Sequence, residues 1–208
     1  MNEHRGRQTK DGIRIYDPSD FAGMHAAGKL AAQILDDIAE HVFVGQTTGA
    51  IDGVITQMVA GKLSRKSERL INITHDALMR GIEVVKPGNT FGDIGHAIQT
   101  FAESHRMSVV TDFCGHGLGR VFHAPPNVLH YGRPGTGAVL EPGMFFTIEP
   151  MVNLGRAETK VLADDWTAVT RDKSLSAQFE HSIGVTETGC EIFTQSPGGM
   201  FHPTYSQG

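Results

Sequence analysis

The chain has 208 residues, of which 39% are hydrophobic and 20% charged, and it carries a formal net charge of −5. That is long enough to bury one core, too apolar for general disorder, and without the basic run that nucleic acid would require. Two cysteines, Cys114 and Cys190, cannot build a disulfide framework, residues 1–12 lack the apolar centre of a signal peptide, and no stretch approaches the roughly 20 apolar residues of a membrane span, so a cytoplasmic protein with no membrane or nucleic-acid partner is expected.

In chain order, a first helix is expected from about Ser19, its N-cap, with an apolar stripe of Phe21, Met24, Ala27, Ala31, Ile34, Ile38 and Val42. A second follows Thr47-Thr48 and carries Ile51, Val54, Ile55 and Met58. A third spans residues 64–85 with Leu70, Ile73, Ala77 and Ile82 on one side. A fourth opens on Thr90 and Asp93 as a capping pair and continues through Ile94, Ile98 and Phe101. Val44-Gly45-Gln46-Thr47 parallels Pro87-Gly88-Asn89-Thr90, each between two helices, which reads as an internal duplication. Only four residues, Val59 to Lys62, separate the second helix from the third, whereas strand-like sequence of considerable length follows the fourth. The first copy of the unit has no sheet.

Strands are expected over residues 108–113, 145–152, 156–162, 166–170, 178–185 and 191–194, with turns at Pro142-Gly143 and Thr188-Gly189 between several of them. Helices with a mainly antiparallel sheet make an α+β protein. The expected organisation is a single catalytic-type domain over residues 1–208. Within it, 13–58 would be the helical remnant of a first half, 64–195 a second half with the sheet, and 1–12 and 197–208 flexible ends.

Three short motifs carry chemistry. His116 lies between Gly115 and Gly117, where backbone can approach a ligand closely, although a histidine so placed is often an ordinary loop residue. In the run Phe145 to Val152, period-two alternation turns Thr147 and Glu149 to one face and Phe146 and Ile148 to the other. A carboxylate in so apolar a strand wants a cation, a proton or a metal, unless that face is wet. In the run Gln178 to Val185, Glu180 lies opposite Phe179, Ile183 and Val185. One imidazole and two carboxylates suit a first-row divalent ion with water in the open positions, an even alternative to no metal at all on spacing alone.

Gly115-His116-Gly117, Thr147-Ile148-Glu149-Pro150 and Gln178-Phe179-Glu180-His181, with Ser174 to Gln178 leading into the last, resemble the methionine aminopeptidases of the shorter, bacterial type in order and kind. The likeness covers nearly everything from Phe21 to Thr194. It implies the pita-bread fold, two related halves with the site between them. It also implies a metal-dependent hydrolase that removes the initiator methionine from nascent polypeptide N-termini, the family being usually monomeric. His116, Glu149 and Glu180 would be metal ligands for Co, Mn, Fe or Zn, and Glu149 also the proton shuttle. His123 would donate a hydrogen bond to the substrate carbonyl, and Phe122 and Trp166 would line the methionine pocket, unless Phe122 is ordinary core and Trp166 a hairpin anchor. Cys114 is expected to be a small buried residue, and His25, His41, His75 and His105 surface residues.

The family draws two further ligands, both aspartates, from strands of the first half. Here Gln57-Met58 runs directly into Val59-Ala60-Gly61-Lys62, which resembles the family's sequence beyond those strands. The β part of the first half is therefore expected to be missing, with at most one metal bound and hydrolysis weak or absent. A non-catalytic pita-bread module that binds peptides or proteins, or a truncated remnant, is the alternative, a proline-directed sibling peptidase being a weaker match to these motifs. The sheet edge such a loss exposes is a route to self-association.

Overall fold

A computed structural model of the chain describes residues 7–39, 64–199 and 201. Its elements are α1 (Pro18–Ala39), α2 (Arg65–Glu83), α3 (Phe91–Ser104) and ten strands: β1 (Ser108–Val109), β2 (Gly115–Gly117), β3 (Ala124–Val128), β4 (Phe145–Ile148), β5 (Met151–Asn153), β6 (Thr159–Val161), β7 (Ala168–Thr170), β8 (Ser176–Gln178), β9 (His181–Val185) and β10 (Cys190–Ile192). The α+β class holds. The second expected helix, the first copy of the duplicated turn, His41 and the Met58–Val59 junction lie outside the described residues.

α1 is capped two residues before the expected Ser19, by Asp17. The Asp17 carboxylate accepts from the Ser19 and Asp20 N–H groups, and Pro18 takes the first helical position, where its missing N–H costs nothing. Its buried contacts are Gly28 and Ala32, with Phe21 and Met24 half-buried, while Ala27, Ala31 and Ile34 face outward. The expected stripe is thus rotated. The seat is the Phe193 backbone, which a Cβ on Gly28 would strike, so small residues make that contact, while Phe21 and Met24 pack beside it and Leu30, Ile34 and Leu35 are turned outward. Phe21 meets Phe145 edge-on at 4.7 Å, Tyr16 stacks on the same ring at 4.6 Å, and His25 reaches Glu191 at 2.6 Å.

α2 and α3 form the second layer. The Ser64 hydroxyl caps α2 by accepting from the Ser67 N–H at 3.2 Å. The Thr90 N–H and hydroxyl both donate to the Asp93 carboxylate at the head of α3. Leu70, Ile73, Ala77, Leu78 and Ile82 of α2 and Ile94 and Ile98 of α3 are buried together against Phe146, Ile148, Val152, Ile183 and Val185 of the sheets. His75, expected at the surface, is buried on this face of α2 and meets the Phe179 ring edge-on at 5.4 Å.

The strands make a five-stranded sheet ordered β10-β9-β4-β2-β3, a three-stranded sheet ordered β1-β5-β8, and the separate β6-β7 hairpin, all antiparallel. Two of the expected long strands are each divided. Residues 145–152 become β4 and β5, and residues 178–185 become β8 and β9, the members of each pair lying in different sheets. Pro150 has no N–H to give a ladder, and β4 ends two residues before it, at Ile148. The first expected strand shortens to Ser108–Val109. β2 and β3 were not expected, because glycines at both ends of β2 and two prolines in β3 read as loop. A Cβ at Gly115 would meet the Thr147 carbonyl and one at Gly117 the Pro125 carbonyl, so β2 needs both glycines to fit between its neighbours. No described helix is long and apolar enough to cross a membrane.

Candidate functional site

The site lies where two paired strands pass from one sheet to the other. β4 and β9 pair Ile148 with His181, and β5 and β8 pair Met151 with Gln178. Both ladders keep one register, so across the break between them Glu149 stands opposite Glu180. The two glutamates expected on separate strands are direct cross-strand neighbours at a seam.

Glu149 is held from three directions. The Thr147 hydroxyl donates to its Oε1 at 2.7 Å, the Gln178 amide lies 3.4 Å from its Oε2, and its own N–H donates to His130 Nε2 at 3.0 Å. Thr147 Oγ1 also accepts the His116 N–H at 2.9 Å, so one buried hydroxyl ties the backbone of β2 to the carboxylate at the end of β4. The His116 ring donates from Nδ1 to the Gly117 carbonyl at 3.1 Å, and its Nε2 lies 3.8 Å from Glu149 Oε1. Both side chains are mostly covered, with 15% and 18% exposed.

Glu180 is an exposed residue, yet crowding around its carboxyl raises its pKa, and the negative Glu149 raises it further while His116 opposes the change. Burial, then Glu149, likewise raises the thiol pKa of half-buried Cys114. His123 stacks edge-on against His116 at 4.3 Å, and Phe122 packs on both rings at 5.3 and 4.5 Å while remaining 72% exposed. Five of the six candidate residues therefore gather. Trp166 stands in the turn of the β6-β7 hairpin and is 89% exposed. Beneath the site, His130 is 2% exposed, and burial lowers its pKa to about 4. Neither His130 nor a role for Thr147 was read from the sequence. The available signal was a polar residue between Leu129 and Tyr131, just beyond a strand.

Two carboxylates stand in register at the seam, one of them 3.8 Å from the Nε2 of His116, a donor set rich in negative charge. That chemistry suits a divalent cation between His116 and Glu149. It does not extend to a complete site, since among the described residues no group of three or more His, Cys, Asp and Glu side chains is gathered to hold a metal ion.

The profile of metallopeptidase family M24 matches residues 53–187, and the chain belongs to that family of pita-bread hydrolases. Its relatives there are methionine aminopeptidases. That of Rickettsia prowazekii is 41% identical, the match covering 93% of this chain and 99% of the relative. That of Escherichia coli K12 is 36% identical over 88% of this chain and 94% of the relative. The crystal structure of the Rickettsia prowazekii enzyme superposes with a TM-score of 0.84, covering 88% of this chain and 100% of that one. Pyrococcus furiosus prolidase, 16% identical with a TM-score of 0.68, shares the fold. The alignment to the Rickettsia enzyme runs over 257 positions, more than the 208 residues of this chain, so the relative has residues that nothing here matches.

Proposed function

We propose that the chain is a methionine aminopeptidase by descent that keeps one side of its site, binds at most one divalent ion (Co, Mn, Fe or Zn) through His116, Glu149 and Glu180, and hydrolyses N-terminal methionine weakly or not at all. The observation that carries this reading is the Glu149–Glu180 pair in register at the seam, with His116 Nε2 3.8 Å from Glu149 Oε1. The described residues do not draw these three donors into one ready-made cluster, which is why the ion would be held weakly. A divalent ion held there would lower the pKa of a water so that its hydroxide form can attack a peptide carbonyl. Glu149, its carboxylate aimed by Thr147, would be the base that takes the proton from the attacking water. His123 donates to the oxygen of the scissile carbonyl as charge develops there. Phe122, on the exposed side of the histidine pair, supplies apolar surface for the methionine side chain. The substrates are nascent polypeptide N-termini in the cytoplasm, with neither nucleic acid nor membrane as partner.

The incomplete donor set also favours a second reading, a peptide-binding remnant without catalysis. A peptide beginning Met-Ala, incubated with Co or Mn, separates the two when His116→Ala is run alongside. Losing an outer partner of a metal ligand costs about 10–100-fold, so losing ligands should put release at least about 100-fold below the Escherichia coli relative. Slow release that the variant abolishes supports the crippled enzyme. No release above the variant supports the remnant, and release that the variant leaves unchanged removes His116 from the site.

A further inference from the structure

His130 does nothing in the chemistry just described, yet it is the most deeply buried titratable side chain near it. β2 begins at Gly115, and the register that pairs Gly117 with Phe146 puts Gly115 level with Ile148. Glu149 therefore lies just past the start of β2, at the point where β4 has also left its partner β9. Its N–H has no strand to bond. His130, two residues beyond the end of β3, fills that place, and its Nε2 accepts the N–H at 3.0 Å. Acceptance requires a neutral ring with its proton on Nδ1, a form that burial favours.

We propose that His130 is a positioning residue for Glu149. By taking the Glu149 N–H where the ladder is interrupted, it fixes the peptide from which the Glu149 carboxylate projects toward Thr147 and His116. The assignment deepens the aminopeptidase reading, since it gives the aim of the proposed proton shuttle a cause, but its test does not depend on turnover.

Three forms of the full chain suffice: wild type, His130→Gln, whose amide oxygen can reach the same N–H, and His130→Phe, which fills the space without an acceptor. Amide hydrogen exchange is followed at Glu149, Phe146 and Ile148. In His130→Phe, Glu149 exchange is expected to rise by about 100-fold, with Phe146 and Ile148 within about 3-fold of wild type, and His130→Gln to recover most of the protection. A crystal structure of His130→Phe should have the Glu149 carboxylate turned away from Thr147 Oγ1.

Unchanged Glu149 protection in His130→Phe overturns the proposal. So does equal acceleration of all three amides in both variants, which marks a merely structural ring. If His130→Phe does not fold, the ring nitrogen shifts of wild type at pH 7 decide: an unprotonated Nε2 supports the proposal and a protonated one overturns it. Absent methionine release with these exchange results intact would leave the positioning role standing and favour the non-catalytic remnant over the crippled enzyme.

Discussion

Replacing Thr147 by valine removes one hydroxyl and keeps the shape of the side chain. In the folded chain that hydroxyl accepts the His116 N–H at 2.9 Å and donates to Glu149 Oε1 at 2.7 Å, and the residue is 1% exposed. An N–H left without an acceptor in such a place costs about 1–3 kcal/mol. The carboxylate loses a charge-assisted bond, but the Glu149 side chain is 18% exposed and keeps Gln178 nearby, so water and the amide restore part of that loss. The two contributions together place the destabilisation at about 2 kcal/mol, or a fall in Tm of about 4–8 °C for a chain of this size. Urea unfolding and a thermal scan measure it. Thr147→Ser, which keeps the hydroxyl and gives up a methyl group, should lose only about 1 kcal/mol. A valine variant within about 0.5 kcal/mol of wild type, or a serine variant less stable than the valine one, refutes the bridging role of the hydroxyl.

Gly28→Ala sets a helix-propensity gain of about 1 kcal/mol against overpacking of about 1–3 kcal/mol, and the obstacle is the Phe193 backbone, which cannot swing aside. A net loss of stability is expected in a thermal scan, and a gain would unseat α1 from Phe193. The Asp172 carboxylate is held down to about 2, first by the Arg156 N–H and then by Ser174. Its contribution is full above the ordinary value of 3.8 and is lost as pH falls toward 2, so Asp172→Asn should flatten the acid limb of stability measured by urea unfolding between pH 2 and 5. Leu30, Ile34 and Leu35 of α1 are 63%, 44% and 47% exposed. Self-association is expected by light scattering at micromolar concentration and should weaken in Leu30→Lys, and a clean wild-type monomer would count against it.

Much of the second half was legible because its signals are local. The start of α2 near residue 64, the capping pair at Thr90 and the buried faces of α2 and α3 need only periodicity and capping chemistry, whereas the glutamates at positions 149 and 180 were singled out as ligands by the resemblance. What escaped depends on partners distant in sequence. Pro150 was in plain view, but that the partner strand breaks opposite it is a property of the pair. α1 misled by size: large side chains suggested a stripe, while a backbone close to Gly28 selected for small ones. His75 and His130 read as surface or went unremarked, because nothing beside them in the sequence announces that Phe179 or the Glu149 N–H needs them. Trp166, grouped with the pocket by resemblance alone, stands at a hairpin tip, where no pattern in the chain decides its neighbours.

The seam between the two sheets has a mechanical consequence. β4-β5 and β8-β9 run through it without a ladder bond at Glu149 or Glu180, so the separation of the two carboxylates follows the angle at which one sheet meets the other. α2 packs on both sheets, against β4 of one and β5 and β8 of the other. Its side chains therefore act as a brace across a joint. A repacking there, far from any reacting atom, would widen or narrow the jaw in which the two acids sit.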